Sequence, residues 1–289
     1  MLRVGSPSLC SSGHGQVTME RVSHVTDPQL QVFADVAVAI ALDAGAILRS
    51  RFGQPHDITF KGPLDLVTEA DQAAELLIAS RLRSAFPDHD LLGEEGSRSE
   101  NTGARYRWVI DPLDGTTNFA HGLPTFAVSI ALEDAGQPVA GVIYDPMRNE
   151  LFRAIKGGGA TLNGAPMGVS HIEHVSAAVL VTGFAHTLEQ RRLQGLAWCG
   201  LLERVRALRQ TGSAALNLCY VAAGRLEGYW ERGIQPWDVS AGALLVSEAG
   251  GQVTDRQGGP FDAHDRVVVA TNGAVHEELL AALREFPDD

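Results

Sequence analysis

Cysteine is scarce in this chain, whose 289 residues include only Cys10, Cys199 and Cys219. They form no CxxC pair and no zinc spacing, which argues against a structural zinc site and against a disulfide framework. Cys199 and Cys219 lie in apolar helical patterns and are predicted to be small core residues. A sparse, odd number of cysteines fits a reducing compartment, so we predict a cytoplasmic protein.

Basic residues are also in short supply, with 23 Lys and Arg against 35 Asp and Glu and a net charge of −12. A uniformly acidic protein binds nucleic acid and anionic membranes poorly, so neither is a predicted partner. No run approaches the roughly 20 apolar residues of a membrane span. Residues 1–29 lack the basic and apolar regions of a signal peptide and are predicted to be a disordered tail, with Met19 as an alternative start.

Hydrophobic residues make up 45% of the chain, which is ample for a large core. Helical and strand-like patterns alternate along the sequence, and no repeat or coiled coil interrupts them. This order predicts layered α/β or α+β packing. A composition shift near residues 170–176 predicts a boundary between an N-terminal lobe, 30–172, and a C-terminal lobe, 173–289.

The stretch that organises the chain runs from Trp108 to Phe119, WVIDPLDGTTNF. Its apolar start predicts a buried strand, which Pro112 is expected to end just after Asp111. Gly115 permits a tight turn, and the two threonines after it suit the start of a short helix. Carboxylates attract hard cations and free N–H groups at a helix start attract phosphate, so Asp111 and Asp114 suggest a metal and phosphate site. The alternative is an Asx-turn followed by a capped helix.

Other acids also stand next to predicted strand ends and helix starts: Asp71, Glu94 with Glu95, and Asp238. Asp71 and Asp238 could simply place negative charge in the first turn of a helix, and the two glutamates could be a solvated pair. Taken jointly, the acids indicate oxygen ligands for Mg²⁺, and two or more such ions can clamp a phosphoryl group.

Five separated segments resemble the inositol monophosphatase family, and they occur in the family's order across about residues 30–285. The segments are KGPLDLVTEAD, LLGEEG, WVIDPLDGTTNFAHGLPTFAVSIAL, TGSAALNLCYVAAGRLEGYWERG and PWDVSAGALLVSEAGG. The resemblance implies an α-β-α-β-α sandwich of the inositol monophosphatase and fructose bisphosphatase type. It also implies Mg²⁺ dependence with two or three ions, lithium sensitivity and a homodimer.

The resemblance also implies which residues hold the metal ions. Glu94, Asp111 and the carbonyl of Leu113 would hold the first ion. Asp111, Asp114 and Asp238 would hold the second, and a weaker ion would lie near Glu94.

By the same resemblance, the N–H groups of Gly115 and Thr116 would hold the phosphate. Thr116, with Asp71 and Glu94, would orient the attacking water. Hydrolysis of a phosphate ester depends mainly on positioning and charge neutralisation, so no Cys or His nucleophile is needed.

Three further residues match substrate-facing or nearby positions of the family: Ser213, Glu231 and Lys61. Each has another interpretation: Ser213 could be a helix N-cap, Glu231 a surface acid, and Lys61 a solvated loop lysine. A carboxylate at Glu231 can accept hydrogen bonds from polyol hydroxyls or receive a cationic group.

The predicted function is hydrolysis of inositol 1-phosphate, a small phosphorylated polyol. The alternatives are histidinol phosphate, fructose 1,6-bisphosphate and a phosphoadenosine nucleotide. A bisphosphate would need a cationic pocket, for which the candidates are Arg191, Arg192, Arg204 and Arg206. A regulatory protein that binds transcription machinery through the same fold is a further alternative, although the intact set of matched metal ligands favours catalysis.

Overall fold

The structure is a computed structural model that describes residues 27–54, 58–62, 65–99, 103–185 and 187–287, with only the backbone at 58, 60–62, 65 and 66. Most of the predicted tail, including Cys10, lies outside the described residues. The first helix begins at Pro28, and the side chain of Asp27 caps it by accepting a hydrogen bond from the N–H of Gln29.

The described chain contains seven α-helices and fourteen strands. The helices are α1 (Pro28–Arg51), α2 (Glu69–Ala85), α3 (Thr116–Ala120), α4 (Leu188–Leu201), α5 (Ala214–Ala222), α6 (Pro236–Glu248) and α7 (His276–Arg284). The strands are β1 (Ile58–Gly62), β2 (Asp65–Thr68), β3 (Asp90–Gly93), β4 (Tyr106–Asp114), β5 (Ala127–Asp134), β6 (Gln137–Asp145), β7 (Glu150–Ile155), β8 (Gly159–Leu162), β9 (Ala165–Pro166), β10 (Val179–Thr182), β11 (Ala207–Arg209), β12 (Gly228–Arg232), β13 (Gln252–Thr254) and β14 (Val267–Thr271).

These elements stack in five layers. A seven-stranded sheet has the order β3-β4-β5-β6-β7-β8-β9, and a five-stranded sheet has the order β11-β10-β12-β14-β13. Helices α1 and α2 cover one face of the large sheet, and α5 and α6 fill the space between the two sheets. Helices α4 and α7 cover the outer face of the small sheet. The predicted α-β-α-β-α sandwich is confirmed.

Strand β4 lies inside the large sheet between β3 and β5 and contributes to two hydrophobic cores. Trp108 and Ile110 point toward α1 and α2, whereas Val109 points toward α5 and α6. This alternation follows from the two-residue period of a strand. From Trp108 onward both faces of the strand are covered, so it reads as a continuous apolar run until Asp111.

The prediction that Pro112 ends this strand is wrong, because β4 continues through it to Asp114. The pairing of β4 with β5 loses register between Asp111 and Asp114. A proline has no N–H to give to the ladder, so it is tolerated where regular pairing is interrupted. The irregularity leaves both carboxylates at the same end of the sheet.

Two glycine-containing turns connect strands of the large sheet. The hairpin between β5 and β6 turns at Ala135 and Gly136, both with positive φ, as in the tight turns that suit twisted strands. The Gly157–Gly159 triplet forms the turn between β7 and β8 and precedes no helix. It is therefore not a phosphate loop. The large sheet ends at Pro166 and the small sheet begins at Val179, while a lobe boundary at residue 172 stays a prediction.

Two expectations about apolar residues need correction. By length and composition α1 could cross a membrane, so the sequence contains a longer apolar segment than expected. In the structure, one face of α1 is buried against α2 and the large sheet. Cys219 is buried as predicted, but Cys199 is exposed. Helix α4 turns only one face toward the small sheet, and Cys199 falls on the opposite face.

Candidate metal centre and substrate cavity

Three carboxylates converge at the end of β4 and the start of α6. Asp111, Asp114 and Asp238 each offer one oxygen, and these oxygens lie within 4.8 Å of one another. Asp111 and Asp114 are buried and Asp238 is half-buried. Within the described chain, no Lys, Arg or His side chain forms an ion pair with any of the three.

The electrostatic state of this triad follows from burial and mutual repulsion. Burial is the main cause that raises the pKa of Asp111 well above its usual value, and the charges of Glu94, Asp114 and Asp238 raise it further. Burial and the charges of Asp114 and Glu94 likewise raise the pKa of Asp238. Burial raises the pKa of Asp114 to about 6 despite its hydrogen bonds. Divalent cations would relieve this repulsion and suit an all-oxygen donor set.

Asp111 also makes the local turn that was the alternative interpretation of its motif. Its Oδ1 accepts a hydrogen bond from the N–H of Leu113 at 2.9 Å, which is an Asx-turn. The turn and the acidic cluster coexist, because the turn occupies only one lone-pair direction of a carboxylate. Thr116 starts α3 as predicted, but Gly115 is the N-cap and no side chain caps the helix.

Asp114 has a role in the fold that the sequence did not reveal. Its carboxylate accepts hydrogen bonds from the hydroxyl of Ser213 and from the N–H groups of Ala214 at 3.1 Å and Ala215 at 2.8 Å. These N–H groups belong to the first turn of α5, where an anion is favoured. Ser213 is also the N-cap of α5, accepting from the N–H of Leu216 at 3.2 Å. One end of the large sheet is thus joined to a helix of the second half of the chain.

Asp238 caps a helix, as the alternative interpretation of this residue held, and also belongs to the acidic cluster. The N–H of Gln235 donates to its Oδ2 at 2.8 Å, which caps the start of α6 just before Pro236. Its other oxygen remains available to the cluster.

Asp71 and Thr116 form a hydrogen-bonded pair beside the triad. Asp71 Oδ2 accepts from the N–H of Thr68 at 2.8 Å and from its hydroxyl at 2.5 Å, which caps α2. The Thr116 hydroxyl lies 3.0 Å from both Asp71 Oδ1 and the carbonyl of Leu113. Burial raises the pKa of Asp71, and the hydrogen bonds from Thr68 and Thr116 oppose that rise.

Gly115 lies where two parts of the chain come closest. Its φ is +102°, and an added Cβ would lie 2.9 Å from the carbonyl oxygen of Thr125 and 3.2 Å from that of Gly212. No other residue type fits there without moving one of these segments. The Gly115 and Thr116 N–H groups stand at the start of α3, where the first N–H groups have no partner within the helix.

Asn118 joins the same two segments and was not identified from the sequence. Its Nδ2 donates to the carbonyl of Thr125 at 2.7 Å and to that of Thr211 at 2.8 Å. A buried amide between two distant carbonyls leaves no local pattern in the sequence.

A cavity of about 440 Å³ opens beside the acids. Glu94, Ser213 and Glu231 line it together with the triad. Glu231 is buried, so the interpretation as a surface acid is wrong. Its Oε2 accepts from the Tyr229 hydroxyl at 2.6 Å, and burial raises its pKa to about 7. The backbone of Lys61 lies in β1, and its side chain is outside the described part of the structure.

The four candidate arginines differ sharply in position. Arg191 lines the cavity and its Nε donates to the carbonyl of Ala185 at 2.7 Å. Arg192 is exposed, Arg204 pairs with Glu285, and Arg206 donates to the carbonyl of Ala177. Among the residues described as lining the cavity, Arg191 is the one cation.

Comparison with known proteins identifies the relatives of this chain. The model of the inositol monophosphatase family matches residues 29–287. An inositol-1-monophosphatase of Synechocystis sp. is 44% identical over 263 residues, which cover 89% of this chain and 91% of the relative. The Nus factor SuhB of Escherichia coli is 43% identical over 258 residues, which cover 88% of this chain and 97% of the relative.

Solved structures give the same result. An inositol monophosphatase from Anabaena (Nostoc) sp. PCC 7120 superposes with a TM-score of 0.80 at 45% identity, covering 90% of this chain and 98% of that one. The extragenic suppressor protein suhB from Bartonella henselae has a TM-score of 0.84 at 41% identity, covering 88% and 99%. These matches confirm the resemblance found in the sequence.

Proposed function

Since the chain belongs to the inositol monophosphatase family, whose members are phosphatases, we propose that it is a Mg²⁺-dependent phosphomonoesterase that hydrolyses inositol 1-phosphate to inositol and phosphate. The observation that carries the proposal is the convergence of Asp111, Asp114 and Asp238 beside a cavity that also holds Glu231. The carboxylates can bind a cation, the cation can bind a phosphate group, and the cavity has room for a small polyol.

The donor set fits magnesium. Buried carboxylates that lack a cationic side chain and repel one another are favourable oxygen ligands for a hard cation. Glu94, Asp111 and the Leu113 carbonyl would hold one ion, Asp111, Asp114 and Asp238 a second, and Glu94 a weaker third. Bound there, Mg²⁺ would neutralise phosphate charge and make water more acidic.

The protein residues would then position the reactants. The N–H groups of Gly115 and Thr116 would donate to phosphate oxygens at the start of α3. Thr116 would orient the attacking water through its hydroxyl, which Asp71 holds at 3.0 Å, and Glu94 would assist. The new bond forms between the water oxygen and phosphorus, and the bond from phosphorus to the alcohol oxygen breaks. The water oxygen becomes the fourth oxygen of phosphate, one of its protons goes to the leaving alcohol, and the other stays on phosphate or passes to solvent.

Wider properties of the family form part of the proposal. We propose a cytoplasmic, lithium-sensitive homodimer that acts on a small phosphorylated polyol without nucleic acid or membrane as a partner. The net charge of −12 opposes binding to both of those polyanionic partners.

The proposal is tested by steady-state release of phosphate from a substrate panel with and without Mg²⁺. The panel contains inositol 1-phosphate, histidinol phosphate, fructose 1,6-bisphosphate, a phosphoadenosine nucleotide and a small generic phosphate ester. We expect the highest kcat/KM on inositol 1-phosphate and none after chelation. Equal activity on the whole panel would contradict the assignment of inositol 1-phosphate as the substrate.

Glu231→Gln should lower kcat/KM for inositol 1-phosphate about tenfold at pH 8, where this carboxyl with a pKa of about 7 is charged. A hydrogen bond to a charged group contributes roughly 1.5–3 kcal/mol, and the amide retains an acceptor of the same size. The generic ester lacks the polyol hydroxyls and should be hydrolysed as before.

Glu227→Gln is the matched control, because Glu227 is a buried glutamate that holds the N–H of Val179 and does not line the cavity. Glu227→Gln should leave unchanged the ratio of kcat/KM for inositol 1-phosphate to kcat/KM for the generic ester. Equal losses on both substrates with Glu231→Gln would place Glu231 in the catalytic or structural framework.

The position of Arg191 favours fructose 1,6-bisphosphate as a second substrate. A cation that lines the cavity and lies in no ion pair of the described chain can receive a second phosphate. Arg191→Met should lower kcat/KM for the bisphosphate by about tenfold or more and change that for inositol 1-phosphate by less than about threefold. Arg192→Met is the matched control, because Arg192 is the exposed neighbour of Arg191 and its loss should affect hydrolysis of neither substrate. If Arg191→Met leaves the ratio of the two kcat/KM values unchanged, this subsite is excluded.

A regulatory role is the remaining alternative. It is suggested by relatives that are named Nus factor SuhB and extragenic suppressor protein suhB. The acidic triad of this chain supports catalysis and does not conflict with a second role.

A further inference from the structure

A buried carboxylate lies behind the metal centre and takes no part in the function proposed so far. Glu75 occupies α2 one turn after Asp71 and is 3% exposed. Its Oε2 accepts from the N–H of Glu95 and its Oε1 from the N–H of Ser97, both at 2.7 Å. The two carboxylate oxygens therefore bind two backbone N–H groups of the same turn.

That turn begins at Glu94, the residue on which the first metal site depends. The turn is otherwise fixed by backbone bonds from Gly93 to Ser97 at 2.8 Å and from Glu94 to the carbonyl of Ile110 at 3.2 Å. An added Cβ at Gly93 would lie 2.7–2.9 Å from the carboxylate atoms of Glu75. A glycine at position 93 is therefore required for the backbone to lie this close to the Glu75 carboxylate.

A buried charge is unfavourable unless other groups compensate it. Glu75 forms no ion pair with a cation of the described chain, and two N–H dipoles balance its charge. Hydrogen bonds to an ionised group are shorter and stronger than neutral ones, so these two bonds hold the turn in one position. An apolar side chain of the same size could fill the space but could not hold both N–H groups.

We propose that Glu75 is a positioning residue that holds the turn at residues 94–97, so that Glu94 faces Asp111 and the first cation site is complete. The inference rests on the proposed Mg²⁺ dependence of the same centre. Glu75 touches neither cation nor substrate and acts only through Glu94.

The test is a calorimetric titration of the metal-free full-length protein with Mg²⁺, together with its melting temperature in chelator. Glu75→Gln puts an amide NH₂ against one of the two N–H groups, so one bond must break or the turn must move. We expect Mg²⁺ affinity at one site to fall at least about tenfold, as with Glu94→Gln. The double variant, Glu75→Gln with Glu94→Gln, should bind Mg²⁺ no more weakly than Glu94→Gln alone, because both changes act on the same site.

Glu248→Gln is the matched control. Glu248 accepts from the N–H groups of Gly157 and Gly159, both at 2.8 Å, in a turn that does not line the cavity. The Glu248→Gln variant should lose stability, as Glu75→Gln does, but should keep the wild-type Mg²⁺ affinity. In turnover assays Glu75→Gln should need more Mg²⁺ for half-maximal rate and approach the wild-type kcat at saturation.

Wild-type Mg²⁺ affinity in Glu75→Gln, with only the melting temperature reduced, would overturn the proposal and leave the proposed function intact. If Glu75→Gln does not fold, Glu75→Asp, which is one methylene shorter and keeps the charge, must show the same loss of Mg²⁺ affinity or the proposal is wrong. A wild-type protein that binds no Mg²⁺ would refute the proposed function and this inference together.

Discussion

Asp111→Asn is expected to reduce phosphate release at saturating Mg²⁺ by at least about a thousandfold. Removing a single oxyanion donor commonly lowers kcat by about 10²–10³, and Asp111 is proposed to contact both cations. The amide keeps the shape and the acceptor that Leu113 uses in the Asx-turn, but it removes the negative charge that the two sites share.

The fold should survive this change. Folding raises the pKa of Asp111, so the metal-free folded protein loses stability as the pH rises above the usual carboxyl pKa. Asp111→Asn removes that loss, and its melting temperature in chelator at pH 7.5 should equal or exceed that of the wild type. Asp134→Asn is the matched control, because Asp134 lies at the other end of β5 in an exposed pair with Arg105. Near-normal turnover by Asp111→Asn would refute the bridging role.

Thr116→Ala is expected to lower kcat by about a hundredfold or more while Mg²⁺ affinity stays within about threefold. Positioning and proton transfer by a side chain contribute about 10²–10⁴ to a rate. The Thr116 hydroxyl lies 3.0 Å from Asp71 and from the Leu113 carbonyl, so it connects the proposed water to a buried acid without being a ligand itself.

Thr116→Ser retains the hydroxyl and should recover most of the rate, which separates the hydrogen bond from the packing of the methyl group. The measurement is kcat at saturating Mg²⁺ with calorimetric Mg²⁺ binding on the same samples. A loss of Mg²⁺ affinity with little change in kcat would show that Thr116 acts as a ligand.

Local patterns were enough to predict most of the fold. The apolar run before Asp111 and the threonines that follow Gly115 each specify their element through nearby chemistry. Pro112 was misassigned because its effect depends on whether the partner strand keeps register, which is a property of β5. Cys199 was misassigned because an apolar helical pattern does not tell which face of α4 is covered.

The site was predictable where function imposes a residue type at a strand end or helix start. Asp111 and Asp114 stood out from their spacing, and Asp238 was grouped with them because it too stands at the start of a predicted helix, while its place in a particular ion site came from the family resemblance. The contacts of Asp114 with α5, the bridging amide of Asn118 and the grip of Glu75 could not be foreseen. Each joins groups that are far apart in the sequence, and a carboxylate or amide looks the same whether its partners are water or buried N–H groups.

The hydrogen bonds between Asp114 and the first turn of α5 also bear on when the acidic cluster can form during folding. Its donors, Ala214 and Ala215, follow Asp114 by 100 and 101 residues. A growing chain that has emerged only through β9 carries Asp111 and Asp114 without their third carboxylate and without the helix that holds Asp114. Contacts of such sequence separation form slowly because a long loop must close first. The complete cluster of three aspartates is therefore expected late in folding, because it needs both halves of the chain, whereas Glu94, Asp111 and Leu113 all lie in the first half.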